Sequence, residues 1–194
     1  MSSIEADAFD RADMQKLQAG HDTALNDLME RHATPIFHFL CRMTGNEDDA
    51  NDLAQETFVR IFKSKDSYRL EQKFSTWLYA IAANLARNHF RWRNRHPNIS
   101  LEAESSVTEE SLASTLPANA PAPNEEAITS ERAKAVRDAV NKLPEDMREV
   151  IVLCEWEERS VAEAATILDT TPKAVESRLY RARQILRERL KCWL

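Results

Sequence analysis

The sequence predicts an all-α protein with two small helical domains joined by an acidic, flexible linker. The 194 residues include only two Gly and seven Pro, and Ala, Leu, Glu and Arg, which favour helices, are abundant. The chain shows no sustained alternation of apolar and polar residues and no Asn-Gly or Asp-Gly hairpin turn, so strands are not expected. Its hydrophobic content of 43% suffices for packed cores, and its net charge is −6.

The division into domains follows from residues 97–131. This segment contains seven Glu, no Lys or Arg, and Pro117, Pro121 and Pro123. A stretch of this composition cannot bury enough apolar surface to build a core. We therefore predict a linker at 97–131 between a domain at 1–96 and a second domain at 132–194. As a coil its roughly 35 residues would span about 30 Å on average, with a taut limit near ~115 Å.

In the first domain, Gly45 and Asn46 are expected to end one helix, and the acidic residues 47–49 to begin the next. Apolar residues at spacings of three and four predict the buried stripe of that second helix. The stripe consists of Ala50, Leu53, Ala54, Thr57, Phe58, Ile61 and Phe62. The other sides of the helix carry Asp49, Asp52, Gln55, Glu56, Val59 and Arg60, and taken alone they fit an ordinary solvated surface.

Residues 73–96 interleave aromatic residues with Lys and Arg and contain no acidic residue. A helical reading places Leu78, Ala82, Leu85, His89 and Trp92 on one stripe, which we expect to be buried. A second stripe carries Asn84, Arg87, Asn88, Arg91 and Arg95. Basic groups displace counterions from phosphates, and amides can engage unpaired bases, so this stripe points to nucleic acid. A packing helix with a solvated basic face is the alternative, and Trp77 is expected to support the helix rather than stack on bases.

The second domain has the form of a helix-turn-helix DNA reader. A helix is expected after Pro144, and Ser160 with Glu163 forms a capping box for another. After a turn at 169–170, Thr171 as N-cap and Pro172 at the first helical position begin a third helix, which has basic residues on its exposed sides. Two helices across a tight turn are typical of major-groove readers, although an ordinary helical hairpin has the same pattern.

Several classes of protein are not supported by the sequence. Cys41, Cys154 and Cys192 lack the spacings of a zinc site or a disulfide framework, so we expect free thiols and no metal. No nucleophile and base pairing or phosphate-binding glycine loop indicates an enzyme or a cofactor. The N-terminal residues lack the pattern of a targeting peptide and no segment approaches a membrane span, so we expect a cytoplasmic protein without direct membrane insertion.

Three motifs stand out in the sequence, DANDLAQETF at 49–58, FSTWL at 74–78 and SRLYRAR at 177–183. Together they resemble motifs of one family, the extracytoplasmic-function (ECF) sigma factors of bacterial RNA polymerase, which belong to the sigma-70 family. DANDLAQETF at 49–58 is similar to the polymerase-binding helix of the family. FSTWL at 74–78, continuing to Arg95, is similar to its reader of the minus-ten promoter element. SRLYRAR at 177–183 is similar to its minus-thirty-five recognition helix, and Asp169 stands where a turn glycine is frequent.

The resemblance implies that the chain binds core RNA polymerase and directs it to promoters, in a stress or envelope response. It implies polymerase contacts at Asp49, Asp52, Gln55, Glu56, Phe58 and Arg60. It implies contacts to the minus-ten element, as duplex and as melted non-template strand, at Tyr68, Arg69, Lys73, Phe74, Asn84, Arg87, Asn88 and Arg91. It implies minus-thirty-five contacts at Thr171, Lys173, Ser177, Arg178, Tyr180 and Arg181. An anti-sigma factor is a further expected partner.

Two other hypotheses remain open at this point. A helix-turn-helix regulator without polymerase docking would use residues 160–190 but would leave the basic segment and the 49–58 helix without a purpose. A helical adaptor that binds only proteins would have a basic segment without affinity for nucleic acid.

Overall fold

The computed structural model describes residues 3–96 and 123–193, and the greater part of the predicted linker lies outside the described residues. The described residues form helices and no strand, which confirms the all-α prediction. The helices are α1 (Ser3–Gln18), α2 (Ala24–Thr44), α3 (Glu47–Lys63), α4 (Phe74–Arg95), α5 (Pro123–Asn141), α6 (Glu145–Ile151), α7 (Val161–Ile167) and α8 (Pro172–Arg189). A short 3-10 turn, Lys65–Ser67, follows α3, and a π-helical turn, Val152–Trp156, continues α6.

Buried charges hold α1 against α2. The carboxylate of Asp10 is almost fully buried and accepts a hydrogen bond from Arg31 Nε at 2.9 Å. The same guanidinium donates to Asp13 at 2.6 Å, and His32 Nε2 lies 2.8 Å from Asp10. Met14 and Leu17 are fully buried beside this network. Pairing satisfies charges that could not otherwise be removed from water, so α1 has a fixed orientation on the domain.

The predicted boundary between α2 and α3 is confirmed. Gly45 adopts the left-handed conformation, with φ at 70°, and its N–H donates to Cys41 O at 2.8 Å. The side chain of Asn46 then caps α3 by accepting a hydrogen bond from the Asp49 N–H at 2.9 Å. A residue with a Cβ would be strained at the left-handed position, so Gly45 sets the angle between the two helices.

Helices α2, α3 and α4 enclose the core of the N-terminal half. Phe39, Ile61 and Leu78 are buried there, and the ring of Tyr79 packs edge-on against Phe39 with centroids 5.1 Å apart. Most of the predicted buried stripes are confirmed. On α3, Ala50, Ala54, Thr57, Phe58 and Ile61 are buried, and on α4 Leu78, Ala82 and Leu85 are buried.

Two positions of those stripes were predicted wrongly. Phe62 is 37% exposed and Trp92 is 44% exposed, although both lie at the correct helical angle for burial. Each lies in the last turns of its helix, Phe62 in α3 and Trp92 in α4. Lys65 Nζ lies over the Phe62 ring at 4.6 Å, and His96 stacks on Trp92 at 5.0 Å.

The C-terminal half contains the predicted pair of helices joined by a turn. The capping box of Ser160 and Glu163 begins α7, and Thr171 caps α8 by accepting from the Ala174 N–H at 3.2 Å. Asp169 in the turn has a left-handed φ of 51°. Helix α5 begins at Pro123, so its first turns fall within the segment predicted as linker.

The two halves pack against each other. α7 contacts α4, while α5 and the π-helical turn contact α2. A single cluster of buried residues runs through both halves and includes Leu78 of α4 and Val150 of α6. Arg148 of α6 donates a hydrogen bond to Met43 O of α2 at 2.8 Å, and its guanidinium lies over the Phe90 ring at 5.2 Å. The halves are therefore joined through a shared core and not only through the connecting segment.

Candidate nucleic-acid and polymerase interface

Helix α4 separates a supporting face from a polar face. Its buried side packs on the core, and Trp77 is half-buried in contact with that core, as predicted. The ring of Trp77 lies 5.0 Å from Tyr68. On the other side Asn84, Asn88 and Arg91 are exposed. Amides and a guanidinium along one helix face can hydrogen-bond base edges and phosphates, which is the chemistry that the sequence indicated.

The loop before α4 is held in one conformation by hydrogen bonds. The Tyr68 hydroxyl donates to Gln72 O at 2.6 Å, and Gln18 Nε2 of α1 donates to the carbonyls of Lys65 and Tyr68 at 2.9 and 3.0 Å. Burial raises the pKa of Tyr68 to about 12. Arg69 projects from this loop and is exposed. Because these hydrogen bonds hold the backbone of the loop in place, the loop presents a defined surface to a ligand.

Tyr68 and Phe74, which the family resemblance implied as DNA contacts, lie in the core of this structure. Tyr68 is 5% exposed and Phe74 is 1% exposed. Their rings pack against each other, with centroids 6.1 Å apart. In this arrangement they support the loop from beneath, and of the predicted contacts between residues 68 and 74 Arg69 and Lys73 are exposed.

On α3, Asp52, Gln55 and Arg60 are exposed, and Arg60 Nε donates to Glu56 Oε1 at 2.9 Å. Asp49 is engaged differently, because its carboxylate lies 3.2 Å from His89 Nε2 on α4. Phe58 is 4% exposed and belongs to the core.

The exposed face of α3 also carries apolar side chains. Val59 is 42% exposed and Phe62 is 37% exposed. Polar and apolar side chains mixed on one exposed face are typical of a protein interface. The spacing of the apolar residues placed Val59 off the buried stripe, as observed, but it assigned Phe62 to the core, so the exposure of Phe62 is what the sequence reasoning missed.

Helix α8 presents a polar, basic surface. Lys173, Ser177 and Arg181 are exposed, and Tyr180 is 65% exposed. Arg181 Nη2 donates to Ser177 Oγ at 3.2 Å, which holds the guanidinium along the helix. The exposed side chains match what a major-groove reader needs.

Arg178 is placed less freely than the other predicted contacts on α8. Its Nε lies 3.4 Å from Asp146 Oδ2 on α6, and 30% of its side chain is exposed. The cap residue Thr171 is exposed at the start of the helix. Arg178 therefore has a competing partner on another helix, whereas the side-chain partner of Arg181 is Ser177 of the same helix.

A set of charged contacts crosses between the halves at the predicted minus-ten surface. Arg87 Nε of α4 lies 2.9 Å from Glu149 Oε1 of α6. Lys73 Nζ donates to Glu163 Oε1 of α7 at 3.0 Å, and the hydroxyl of Tyr79 donates to Glu157 at 2.5 Å. These pairs lie far apart in the sequence, and no local pattern indicated them.

The remaining sequence predictions concern metals and membranes. Cys41 and Cys154 are half-buried free thiols, Cys192 is an exposed free thiol, and burial raises the pKa of Cys41 to about 11. Within residues 3–96 and 123–193 no group of three or more His, Cys, Asp or Glu side chains could hold a metal ion. The helices of these ranges include none that is long and apolar enough to cross a membrane.

Comparison with known proteins identifies the two halves. The family model for Sigma-70 region 2 matches residues 28–96, and that for Sigma-70 region 4 matches residues 133–186. The ECF RNA polymerase sigma factor SigW of Bacillus subtilis is 34% identical over 179 residues, which cover 92% of this chain and 95% of the relative.

Solved structures agree with this result. The structure of CnrH in complex with the cytosolic domain of CnrY has a TM-score of 0.69 at 27% identity, covering 95% of this chain and 98% of CnrH. The sigma factor RpoE of Bartonella quintana, in complex with the anti-sigma factor NepR, shares the fold with a TM-score of 0.68 at 24% identity, covering 87% and 98%. The chain belongs to the family of ECF RNA polymerase sigma factors.

Proposed function

We propose that this chain binds core RNA polymerase, directs it to specific promoters and assists promoter opening, as a cytoplasmic initiation factor without catalytic chemistry of its own. The observation that carries the proposal is the presence, on one chain, of two exposed polar faces whose side chains suit nucleic acid. One is the face of α4 with Asn84, Asn88 and Arg91, and the other is the face of α8 with Ser177 and Arg181. A regulator that binds only duplex DNA would need the second face alone.

Each surface has a part in the proposed mechanism. The exposed polar and apolar side chains of α3, among them Asp52 and Gln55, dock on the polymerase. The α4 face holds the melted non-template strand, with amides on base edges and Arg91 on phosphate. The α8 helix enters the major groove of the minus-thirty-five element, where arginine can bond guanine at two points.

A partner that restrains the chain completes the proposal. The structural relatives CnrH and RpoE were solved with protein partners, and the partner of RpoE is an anti-sigma factor. We propose an anti-sigma protein for this chain as well, and a signal-dependent role in which a stress or envelope response releases it. Such a partner would cover the polymerase-binding or DNA-binding surfaces.

The test is reconstituted transcription. Purified chain is added to core polymerase with fragmented genomic DNA of the source organism, and the 5′ ends of the transcripts are sequenced. We expect start sites that share two upstream elements and that core polymerase alone does not produce. If the chain neither binds core polymerase nor changes the start sites, the proposal is wrong. Binding to duplex DNA without either effect would indicate a helix-turn-helix regulator.

A pair of variants tests the docking surface. Asp52→Lys reverses one charge on the exposed α3 face, and Glu30→Lys makes the same change at an exposed position of α2. We expect Asp52→Lys to weaken core binding at least tenfold, and Glu30→Lys to leave it within a factor of two. Equal effects would remove the α3 face from the proposed polymerase contact.

A further inference from the structure

Trp92, near the C-terminal end of α4, is a large apolar side chain that remains in contact with water. The periodicity of α4 predicted its burial, but 44% of it is exposed. The minus-ten contacts that the family resemblance implies end at Arg91, so none of them accounts for this ring. A single exposed apolar residue is common on protein surfaces, so the groups around Trp92 decide whether it has a role.

His96 supports the indole ring of Trp92 from one side. The two rings are stacked, with centroids 5.0 Å apart and 28° between their planes. The backbone holds His96 there, because its N–H donates to Trp92 O at 3.1 Å and its Nδ1 lies 2.9 Å from the same oxygen. The exposed part of Trp92 is therefore its other face and its edges. An aromatic ring that is supported on one face and open on the other can stack on a planar ligand.

The last turns of α4 are attached to the neighbouring helix on both sides of Trp92 in the sequence. Asp49 Oδ2 of α3 lies 3.2 Å from His89 Nε2 and 3.6 Å from Arg93 Nη1. These contacts fix the end of α4 relative to the core. A stacking site gains from such anchoring, because a ring that is already ordered loses little conformational entropy when a ligand binds.

The surroundings of the ring are basic. Arg91 and Arg95 are exposed beside Trp92, and Arg95 Nε donates to Arg91 O at 3.2 Å, which lays Arg95 along the helix. Residues 73–96 include no acidic residue. A nucleic-acid strand offers phosphates for the cations and planar bases for the ring at the same time. An apolar protein segment would use the ring but would leave the cations unmatched, so the charge around Trp92 favours nucleic acid.

Trp92 also continues the exposed face of α4 that carries Asn84 and Asn88. It follows Asn88 by four residues, and Asn88 follows Asn84 by four, so the three side chains lie on one side of the helix. A rise of ~1.5 Å per residue separates Asn84 from Trp92 by about 12 Å along the axis, the length of about three stacked bases at ~3.4 Å each. The ring therefore lies at one end of that face.

We propose that Trp92 is a stacking platform for one base of the non-template strand, at the end of the strand segment held by the exposed face of α4. The inference rests on the proposed function, because that function assigns this face to the melted strand. The ring replaces the neighbouring base that the strand loses when the duplex opens. Since every base has a π face, Trp92 stabilises the opened strand with little preference for sequence.

Three variants test the platform. Trp92→Phe keeps an aromatic face, and Trp92→Leu keeps an apolar side chain without one. Trp193→Leu is the matched control, because Trp193 is 39% exposed and lies outside α4. Each full chain is assembled with core polymerase. The template is a promoter found by reconstituted transcription, opened in advance by mismatches, with one base removed at a time from the non-template strand. Opening the template in advance removes the cost of melting, so the affinity reports strand capture alone.

We expect one position, at an edge of the opened segment, where removing the base weakens binding of the unchanged holoenzyme about fivefold or more. Trp92→Leu should bind the intact template about fivefold more weakly, and removing the base at that position should then cost less than about twofold, because the stacking partner is already absent. Trp92→Phe and Trp193→Leu should keep the sensitivity of the unchanged chain at this position.

Two results would overturn the proposal. If Trp92→Leu has the same position-by-position profile as Trp193→Leu, no base stacks on Trp92. If Trp92→Leu instead weakens binding to core polymerase without DNA, the ring is a protein contact. The proposed function is judged from the unchanged chain alone, by whether it binds core polymerase and selects promoters, so its failure is distinguishable from a failure of the Trp92 platform.

Discussion

The hydroxyl of Tyr79 on α4 donates a hydrogen bond to the carboxylate of Glu157 at 2.5 Å and so joins the two halves of the chain. The ring of Tyr79 is buried against Phe39, while its hydroxyl reaches the junction. Burial and the neighbouring Glu157 raise the pKa of this hydroxyl well above its usual value, so it stays a donor at any ordinary pH. One side chain therefore serves the core of the first half and its contact with the second.

Tyr79→Phe should separate these two roles. The variant keeps the ring but leaves Glu157 with one partner fewer, and we expect a loss of about 1–2 kcal/mol in the free energy of unfolding. Tyr180→Phe is the matched control, because Tyr180 is 65% exposed and its loss should be near zero. The measurement is urea unfolding followed by circular dichroism. Equal midpoints for the two variants would contradict the importance of the Tyr79 contact.

The stability of the folded chain should fall as the pH rises through neutrality because of Glu149. Burial raises the pKa of this carboxyl from 4.5 to about 7. Its contribution to stability is therefore fully present below pH about 4.5 and is lost as the pH rises through about 7. Integrated over that window, the loss is at most about 3 kcal/mol. The charged groups that face Glu149 are Arg87 of α4, Arg178 of α8, and Glu145 and Asp146 of its own helix.

Glu149→Gln isolates this effect from the other groups that titrate in the same range. The variant has no carboxyl at this position, so its unfolding midpoint should change less between pH 5 and pH 8 than that of the unchanged chain. Thermal unfolding across this range, measured in a constant ionic strength, gives both profiles. Parallel profiles would show that the titration of Glu149 does not contribute to the pH dependence of unfolding.

The turn between α7 and α8 depends on Asp169 tolerating a left-handed backbone. Its φ is 51°. Asp adopts this conformation at modest cost, Gly adopts it freely, and a β-branched residue is strongly disfavoured. We expect Asp169→Val to reduce the free energy of unfolding by more than about 1 kcal/mol. Asp169→Gly should be neutral within about 0.5 kcal/mol, and a large loss for Gly would mean that the Asp side chain itself stabilises the turn.

Arg181 should contribute more to promoter selection than Arg178. Arg181 lies along its own helix with Ser177, whereas Arg178 is paired with Asp146 of α6. We expect Arg181→Ala to lower affinity for a selected promoter by about 1–3 kcal/mol and to relax discrimination at one upstream position. Arg178→Ala should have a smaller effect. Transcription from templates substituted one base pair at a time checks both, and the reverse order of effects would contradict this reading of α8.

Local structure could be predicted from sequence where a few adjacent residues decide it. Gly45 with Asn46, the capping box at Ser160, and Thr171 before Pro172 each define a helix end. In each case the controlling interaction is between groups within four residues of one another, so the sequence contains all of it. The buried stripes of α3 and α4 were predicted for the same reason, because helical geometry fixes which side chains share a face.

Burial at the ends of those stripes was decided by the tertiary structure. Phe62 and Trp92 lie at the correct angle for the core and are nevertheless exposed. Conversely, Tyr68 and Phe74 were assigned to a DNA-binding loop and lie in the core. Periodicity gives the direction of a side chain but not how far the neighbouring helix extends beside it.

The sequence by itself determined the helical class, the family and several helix ends, and it indicated the exposed faces of α4 and α8 that we propose as readers. Only the tertiary structure decided that Glu149 lies against Arg87, Glu157 against Tyr79 and Glu163 against Lys73. Such pairs depend on how two halves of the chain pack, and that packing balances buried apolar area against the cost of buried charge. This balance has no local signal in the sequence, because its terms come from residues that lie far apart along the chain.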